Sequence, residues 1–271
     1  MAVAKSVTVV LDAAASVPAA LLAGLPIRLA PADPPRMLTF ESVSRLSLDS
    51  FPAEPAPVVE ASREAAEAGA DVLYVSVDDG HGGPPGAADL ARAAVEASGQ
   101  RFAHLATGAL LLKAGWPAIV AAEAAARGAE LDAALEAGRA AVVGVGMLGV
   151  IDHPEMANPN STSGLVAPPR GVARWDGPRI VIAPRPQRDA ALGMLRDLFT
   201  STVSREATQD RGVLRVAVVH ASAAPAASAL ALWAERRLQA VEVSVDAVTR
   251  HAATRLGPGF VAVSWIWRPR P

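Results

Sequence analysis

Histidines are the side chains of this chain best suited to exchange protons or hold a metal at neutral pH. The sequence contains five of them, at His81, His104, His153, His220 and His251. No two are four residues apart, so their spacing does not predict a metal site. His220 closes the apolar run 214–220, at the carboxyl end of a predicted strand, where open α/β sheets bind ligands. A ligand contact and a structural imidazole are both open for His220, whereas His104, inside an apolar strand, is expected to be structural.

A basic group formed by Arg250, His251 and Arg255 precedes a Gly-Pro-Gly turn at 257–259. The planar guanidinium of arginine suits a carboxylate or a phosphate, because it donates two parallel hydrogen bonds. The group fits an anion-binding role, and it fits a solvated loop ahead of a turn equally well.

The loop 79–86 is rich in glycine and has the sequence Asp-Gly-His-Gly-Gly-Pro-Pro-Gly. It lies between a predicted strand and a predicted helix, so its backbone amides could hold an anion at the helix N-terminus. The two prolines remove amides, and the spacing is not a dinucleotide fingerprint. A plain tight turn is therefore the alternative.

Other chemistries find no support in the residues present. The chain has no cysteine, which excludes disulfides and thiolate catalysis. It contains neither a phosphate-binding P-loop motif nor a G-x-S-x-G elbow. The net charge is −2 and the basic residues are scattered, which does not favour nucleic-acid binding. We therefore expect no cofactor, no metal and no nucleic-acid partner.

Short runs rich in Val, Ile and Leu alternate with Ala-rich segments of helical length, and this alternation predicts an α/β fold with parallel strands. The predicted strands are Val7–Leu11, Asp71–Val77, Phe102–Leu105, Arg179–Ala183, Leu214–His220 and Gly259–Trp267. The predicted helices are Pro57–Ala68, Gly86–Ala97, Ala109–Arg127, Glu130–Gly138, Arg188–Leu198 and Pro225–Leu238.

Two segments interrupt the alternation. Residues 31–57 predict a long irregular connection with one short helix, and the proline-rich residues 152–178 predict a loop between two halves. We expect a parallel-sheet N-terminal α/β domain over 1–140 and a smaller C-terminal α/β domain over 141–271. No apolar stretch reaches the ~20 residues of a membrane span, and the N-terminus does not have the pattern of a signal peptide. A cytoplasmic protein that does not span a membrane is expected.

Six segments, taken in order, resemble the DegV family of bacterial fatty-acid-binding proteins. They are similar to the family's T-D-S-S-A-D-L-P turn, second core strand, A-x-E-L-A-x-x-G helix, R-x-R-K-K-A-L helix start, I-x-H-A-x-A-P strand end and T-H-T-G-P-G turn. The matching residues are Val10–Pro18, Gly69–Val77, Ala121–Leu135, Arg185–Leu192, Ala217–Pro225 and Thr254–Gly259. The last two together are the most specific.

The resemblance implies a protein that holds a long-chain fatty acid, with the carboxylate at the junction of the two domains and the acyl chain in an apolar tunnel. It also implies a separate kinase subunit that phosphorylates the carboxylate, so that this chain itself is not an enzyme. Arg188, on the second arginine of the family motif, would face that partner. Carried over by motif, the ligand-binding residues are Asp12, Ser50, Gly82, Gly83, Thr107, His220, Thr254 and Arg255.

Several hydroxyl groups of the family motifs are missing here. Ala13 and Ala14 replace the serines of the first turn, Gly82 replaces the hydroxyl of the loop, and Arg255 replaces a histidine. A buried carboxylate needs hydrogen bonds or a counter-charge, and each lost hydroxyl removes about 1 kcal/mol. Arg255 could compensate through an ion pair.

Three functions therefore compete. The first is a module that binds a fatty acid or related anionic lipid and presents it to a partner. The second is a degenerate, ligand-free member that acts as an interaction or regulatory protein. The third is an enzyme with His220 or His81 as a nucleophile, for which the sequence holds no motif beyond a histidine at a strand end.

Overall fold

The computed structural model describes residues 5–30, 39–44, 54–77, 85–153, 170–176, 179–185, 187–207 and 212–270. The chain forms two compact units, and neither is one continuous segment. The first unit comprises Met1–Ala15, Leu21–Pro34 and Pro52–Val143. The second unit comprises Ser16–Ala20, Pro35–Phe51 and Gly144–Pro271.

The strands, in chain order, are β1 Val7–Asp12, β2 Ile27–Ala30, β3 Asp71–Ser76, β4 Phe102–Ala106, β5 Gly146–Ile151, β6 Gly171–Asp176, β7 Arg179–Pro184, β8 Val213–His220, β9 Glu242–Ala247 and β10 Val261–Arg268. The α-helices are α1 Ala19–Leu22, α2 Phe40–Ser44, α3 Ala56–Glu67, α4 Ala87–Ala97, α5 Leu112–Ala126, α6 Leu131–Val142, α7 Arg188–Glu206, α8 Ala224–Leu238 and α9 Arg250–Leu256. A 3-10 turn follows β1 at Ala13–Ala15.

The sheet of the first unit is parallel throughout and has the strand order β2-β1-β3-β4. Val10, Val72 and Tyr74 pack on one face against α3 and α4. The alternate residues of β1 and β3 are fully buried as well, and α5 contacts both strands. A strand buried on both faces has a nearly continuous apolar sequence, which explains why β1 and β3 were predictable.

The sheet of the second unit is mixed, with the order β7-β6-β5-β10-β8-β9. Only β8 and β9 pair in parallel, and every other neighbouring pair is antiparallel. Phe199 of α7 packs on Trp265 of β10, with ring centroids 5.2 Å apart, inside a core that α7 and α8 cover. The expectation of parallel strands is therefore confirmed for the first unit and wrong for most of the second unit.

The six predicted strands and six predicted helices are all present, with most ends displaced by a few residues and α7 extending to Glu206 beyond its predicted end at Leu198, but other elements were not predicted. Strand β6 lies inside the segment 152–178, which the sequence predicted to be a loop, and α9 holds the basic residues that were expected either to bind an anion or to lie in a loop. Strand β5 was missed because its glycines disfavour an isolated strand. Gly146 lies under the Trp265 indole, and a Cβ on Gly149 would meet the Val261 carbonyl at 2.9 Å, so both glycines admit close neighbours.

The predicted domains were two continuous blocks, whereas the second unit also contains residues 16–20 and 35–51. It is also the larger of the two units. No helix within the described residues is long and apolar enough to cross a membrane.

Candidate ligand-binding site

In the first unit, polar side chains gather where the parallel strands end. Asp12 ends β1, Ser76 ends β3 and Thr107 directly follows β4, and all three are buried. The Thr107 hydroxyl donates to the Ser76 carbonyl at 2.9 Å, and Asp12 Oδ1 accepts from the Ala14 amide at 2.9 Å. Because the carboxyl ends of parallel strands meet at one edge, Asp12 and Thr107 belong to the edge at which such sheets bind ligands.

His104 makes the contacts that a structural role predicts. Its ring is stacked on Tyr74 with the centroids 5.2 Å apart, and Nε2 lies 2.8 Å from the Ser76 hydroxyl oxygen. Ser76 was not singled out from the sequence. The available signal was a lone hydroxyl residue at the end of an apolar strand.

In the second unit, His220 ends β8 and is half-buried. Its Nδ1 accepts a hydrogen bond from the Ala223 amide at 3.3 Å, which assigns the ring proton of the neutral imidazole to Nε2. Burial lowers the pKa of His220 below its ordinary value, and the carboxylate of Asp246 opposes this only in part. At neutral pH His220 is therefore a neutral donor through Nε2.

Helix α9 carries the basic group and Thr254. Thr249 caps its N-terminus by accepting from the Ala252 amide, and the Ser16 hydroxyl in turn accepts from the Thr249 amide at 3.2 Å. Thr254 is buried and donates its hydroxyl proton to the His251 carbonyl at 2.7 Å. Arg255 Nη1 donates to the same carbonyl at 3.3 Å, and its side chain is partly exposed. The basic group is thus held on a helix rather than in a solvated loop.

An ion-pair cluster lies beside the turn that follows α9. The Asp152 carboxylate is buried and ion-paired with Arg188, and the Nε of Arg170 lies 3.0 Å from Asp152 Oδ1. The same Nε donates to the Asp152 backbone carbonyl at 2.6 Å. Arg188 Nη1 also reaches the Gly259 carbonyl at 3.4 Å. Arg188 was predicted to face a partner, and in the structure about a third of its side chain is exposed while its guanidinium binds within the unit.

The Gly-Pro-Gly turn is joined to the loop after β8. The Gly259 amide donates to the Ala221 carbonyl at 2.7 Å, and the Ala221 amide donates to the Phe260 carbonyl at 2.9 Å. A side chain at Gly259 would meet Asp152 Oδ2 at 2.5 Å, and the φ of Gly259 is 78°. The two most specific segments of the sequence, His220–Ala223 and the turn after Arg255, are therefore neighbours in space.

Backbone strain marks the same strand ends. Ser16, Leu111 and Ser222 have φ values of 48°, 50° and 57°, and they follow β1, β4 and β8. Positive φ is unfavourable for residues with a side chain and is concentrated at functional sites. In each unit the strain supports the carboxyl ends of the strands as the candidate site.

Some of the predicted site residues are not among the residues that the structure describes. Ser50, Gly82 and Gly83 lie outside the described residues, as does His81. Within the described part of the chain, no group of three or more metal-ligating side chains is found. The location of a ligand between the two domains stays a prediction. Asp152 and Arg170 were missed, although Asp152 directly follows the apolar run 140–151 and could have been recognised as the end of a strand.

Comparison with known proteins finds likeness at the level of structure. No family model matches the sequence, and no curated protein matches it. A DegV family protein from Thermus thermophilus, described by its fatty acid binding, is 18% identical with a TM-score of 0.77 over 97% of this chain and 100% of its own. DegV from Bacillus subtilis, a fatty acid binding protein, is 16% identical with a TM-score of 0.75 over 97% and 100%.

A DegV family protein from Corynebacterium glutamicum is 18% identical with a TM-score of 0.73, and the match covers 99% of this chain and 100% of that protein. These likenesses span both units and leave no large segment of either chain unmatched. The chain therefore has the α/β fold of DegV family proteins along almost its entire length.

Proposed function

We propose that this protein binds a long-chain fatty acid or a related anionic lipid and presents it to a partner such as a fatty acid kinase in the cytoplasm. One observation carries the proposal: the fold is that of proteins from Thermus thermophilus and Bacillus subtilis that are described as binding fatty acids, over 97% of this chain. A protein of the same fold from Eubacterium ventriosum, which is 12% identical, binds stearic acid.

The side chains in the second unit fit the head group of such a ligand. A carboxylate taken out of water needs hydrogen-bond donors or a counter-charge. Arg255 supplies a permanent cation, and a bidentate pair with a carboxylate is among the stronger polar contacts in proteins. His220 supplies a neutral Nε2–H donor at neutral pH, because burial holds its pKa low.

On this proposal the protein presents the lipid and performs no chemistry on it. His220 uses Nδ1 to accept from the Ala223 amide, so it is oriented as a donor through Nε2 and not as a base. Arg188 is part of the surface that we propose faces the kinase, since about a third of its side chain is exposed.

A second candidate is a ligand-free interaction protein, and a specific observation favours it. Several residues predicted to contact the ligand or the partner already have partners inside their own unit. Thr107 donates to Ser76, Thr254 donates to the His251 carbonyl, and Arg188 is ion-paired with Asp152. A polar group that is satisfied internally gains less from a new ligand.

Native mass spectrometry of the purified chain, followed by solvent extraction and lipid identification, separates the two candidates. We expect a stoichiometric fatty acid, and we expect Arg255→Gln to weaken uptake of added fatty acid at least about tenfold, the loss of one charge-assisted contact. Arg236→Gln is the matched control, because Arg236 is an exposed arginine on α8. A protein that is empty and takes up no fatty acid would reject lipid binding and favour the ligand-free alternative.

A further inference from the structure

Residues 16–20 form a short segment of the second unit, although the residues on either side of the segment belong to the first unit. Ser16 is buried, whereas Ala19 is exposed. The φ of Ser16 is 48°, an unfavourable value for a residue with a side chain. Backbone strain of this kind persists only where the surrounding contacts hold it. The contacts of Ser16 therefore decide whether the segment keeps its conformation.

Hydrogen bonds join this segment to the part of the chain that leads into α9. The Ser16 hydroxyl oxygen accepts from the Thr249 amide at 3.2 Å and lies 3.2 Å from the Thr249 hydroxyl oxygen. Asp246 Oδ2, near the end of β9, accepts from the Ala19 amide at 3.2 Å. All three distances are at or beyond the long end of the usual range, so each contact is weak. A segment held by few weak contacts detaches at a lower cost in free energy than the core does.

Helix α9 depends on its start, because it has only seven residues and isolated helices shorter than about twelve residues are marginal in water. Thr249 caps the helix by accepting from the Ala252 amide, and Ser16 binds both the amide and the hydroxyl of Thr249. The turn after α9 is held more firmly, since the Gly259 amide donates to the Ala221 carbonyl at 2.7 Å. We therefore expect α9 to open from its first turn.

The first turn of α9 also holds two side chains of the candidate site. The His251 carbonyl accepts from the Thr254 hydroxyl at 2.7 Å and from Arg255 Nη1 at 3.3 Å. When the first turn opens, this carbonyl moves, and both side chains lose the acceptor that fixes them. The contacts thus form one series, from Ser16 through Thr249 and the first turn to Arg255.

We propose that residues 16–20 are a latch that orders α9 and thereby positions Arg255. With the latch closed, Thr249 caps α9 and the Arg255 side chain is held. With the latch open, the first turn frays and Arg255 loses its fixed position. Ser16 is a positioning residue that acts through Thr249. The effect of the latch on α9 is independent of lipid binding, whereas its effect on a ligand of Arg255 rests on the proposed function.

Hydrogen exchange of the full chain, without added lipid, tests the latch. We expect Ser16→Gly to accelerate exchange of the α9 amides at least about fivefold, because the support of the cap is lost even though glycine relieves the strain at this φ. Thr249→Ser keeps a capping hydroxyl and should change the rate by less than about twofold. Exchange of the α8 amides should stay within about twofold of the parent, because only the region of α9 opens.

Ser222→Gly is the matched control for Ser16→Gly. Ser222 has a similar φ, 57°, and lies in the same unit, so the variant gains the same backbone freedom and leaves the latch intact. Its α9 amides should exchange within about twofold of the parent. Unchanged α9 exchange in the folded Ser16→Gly variant, or an equal acceleration in Ser222→Gly, would overturn the proposal. An equal acceleration of α8 in Ser16→Gly would also overturn it, because the loss of stability would then be global.

Oleate tests the link between the latch and Arg255. Coupling between two sites is reciprocal, so oleate should slow exchange of residues 16–22 at least about fivefold in the parent. Ser16→Gly should abolish this slowing, because the variant separates the segment from Thr249. Oleate that binds by calorimetry without slowing exchange at 16–22 would overturn the link to Arg255. A parent that binds no oleate would reject the proposed lipid binding, and the lipid-free exchange experiment would still decide the latch.

Discussion

The two units have sheets of different topology, and sequence patterns predict the strands of the first sheet more completely than those of the second. The first unit has a parallel sheet of strands that are apolar on both faces, separated by helices of ordinary length. The second unit has a mixed sheet whose strands include the glycine-rich β5 and the edge strand β9, in which apolar and polar residues alternate. A strand that is buried on both faces has a nearly continuous apolar sequence, whereas a strand with an exposed face or with glycines gives a weaker pattern.

The comparison extends to the glycines. In the first unit, Gly69 and Gly86 have positive φ with no atom within 4 Å of an added Cβ, so they serve the backbone conformation alone. In the second unit, Gly146 and Gly149 lie in a strand and yield space to indole rings and backbone atoms. The two glycines of the first unit serve turns, and the two of the second unit allow close packing within a strand.

The largest expected effect tests this difference in packing. Gly146→Ala should lower the free energy of unfolding by about 3 kcal/mol, because the new methyl group overlaps the Trp265 indole. Gly69→Ala should cost only about 1 kcal/mol, the price of a positive φ without a steric clash. Urea unfolding followed by tryptophan fluorescence measures both, and four of the five tryptophans, Trp175, Trp233, Trp265 and Trp267, lie in the second unit. Equal losses for the two variants would contradict the distinction.

The buried carboxylates of the two units provide the next comparison. Asp152→Asn should lower the free energy of unfolding by about 2 kcal/mol, because two arginines lose their counter-charge, and their partial exposure reduces the penalty. Asp12→Asn should cost less, about 1 kcal/mol, because the amide oxygen can still accept from the Ala14 amide. Chemical denaturation at neutral pH gives both values. A larger loss at Asp12 would mean that its negative charge matters more than this hydrogen bond.

The smallest expected effect is the change of stability with pH that His220 of the second unit causes. Burial lowers the pKa of His220 below 6.5, so the native state binds this proton less tightly than the unfolded state does. The contribution of His220 to stability is therefore complete above pH 6.5 and is lost as the pH falls through the window below it. We expect His220→Gln to flatten the decline of stability between neutral and mildly acidic pH, measured by thermal unfolding in a pH series. An unchanged slope in the His220 variant would refute the assignment.

The sequence predicted which strands and turns carry the candidate site better than it predicted the contacts between their side chains. His220 at a strand end followed from the apolar run 214–220, and the neighbouring Gly-Pro-Gly turn followed from its motif. The pairing of Asp152 with Arg188 did not, because 36 residues separate them and no local pattern joins them. Helix α9 was missed since it is short and its cap depends on Thr249 with support from Ser16, 233 residues away. Contacts of this range are fixed by tertiary structure, so single-sequence patterns do not contain them.

Strand β10 has a consequence for how the protein is made. It pairs with β5 on one side and β8 on the other, so the centre of the second sheet is missing until residues 261–268 have been synthesised. The segment 16–20 leaves the ribosome early and must wait for its partners Asp246 and Thr249 for about ten to fifty seconds at ordinary elongation rates. Once β4 has been synthesised, the first unit has all its strands and can fold, whereas the edges of β5 and β8 that face β10 stay unpaired until β10 follows. The incomplete second unit, with unpaired strand edges, is therefore the part of the nascent chain that a chaperone would most need to shield from wrong strand pairing.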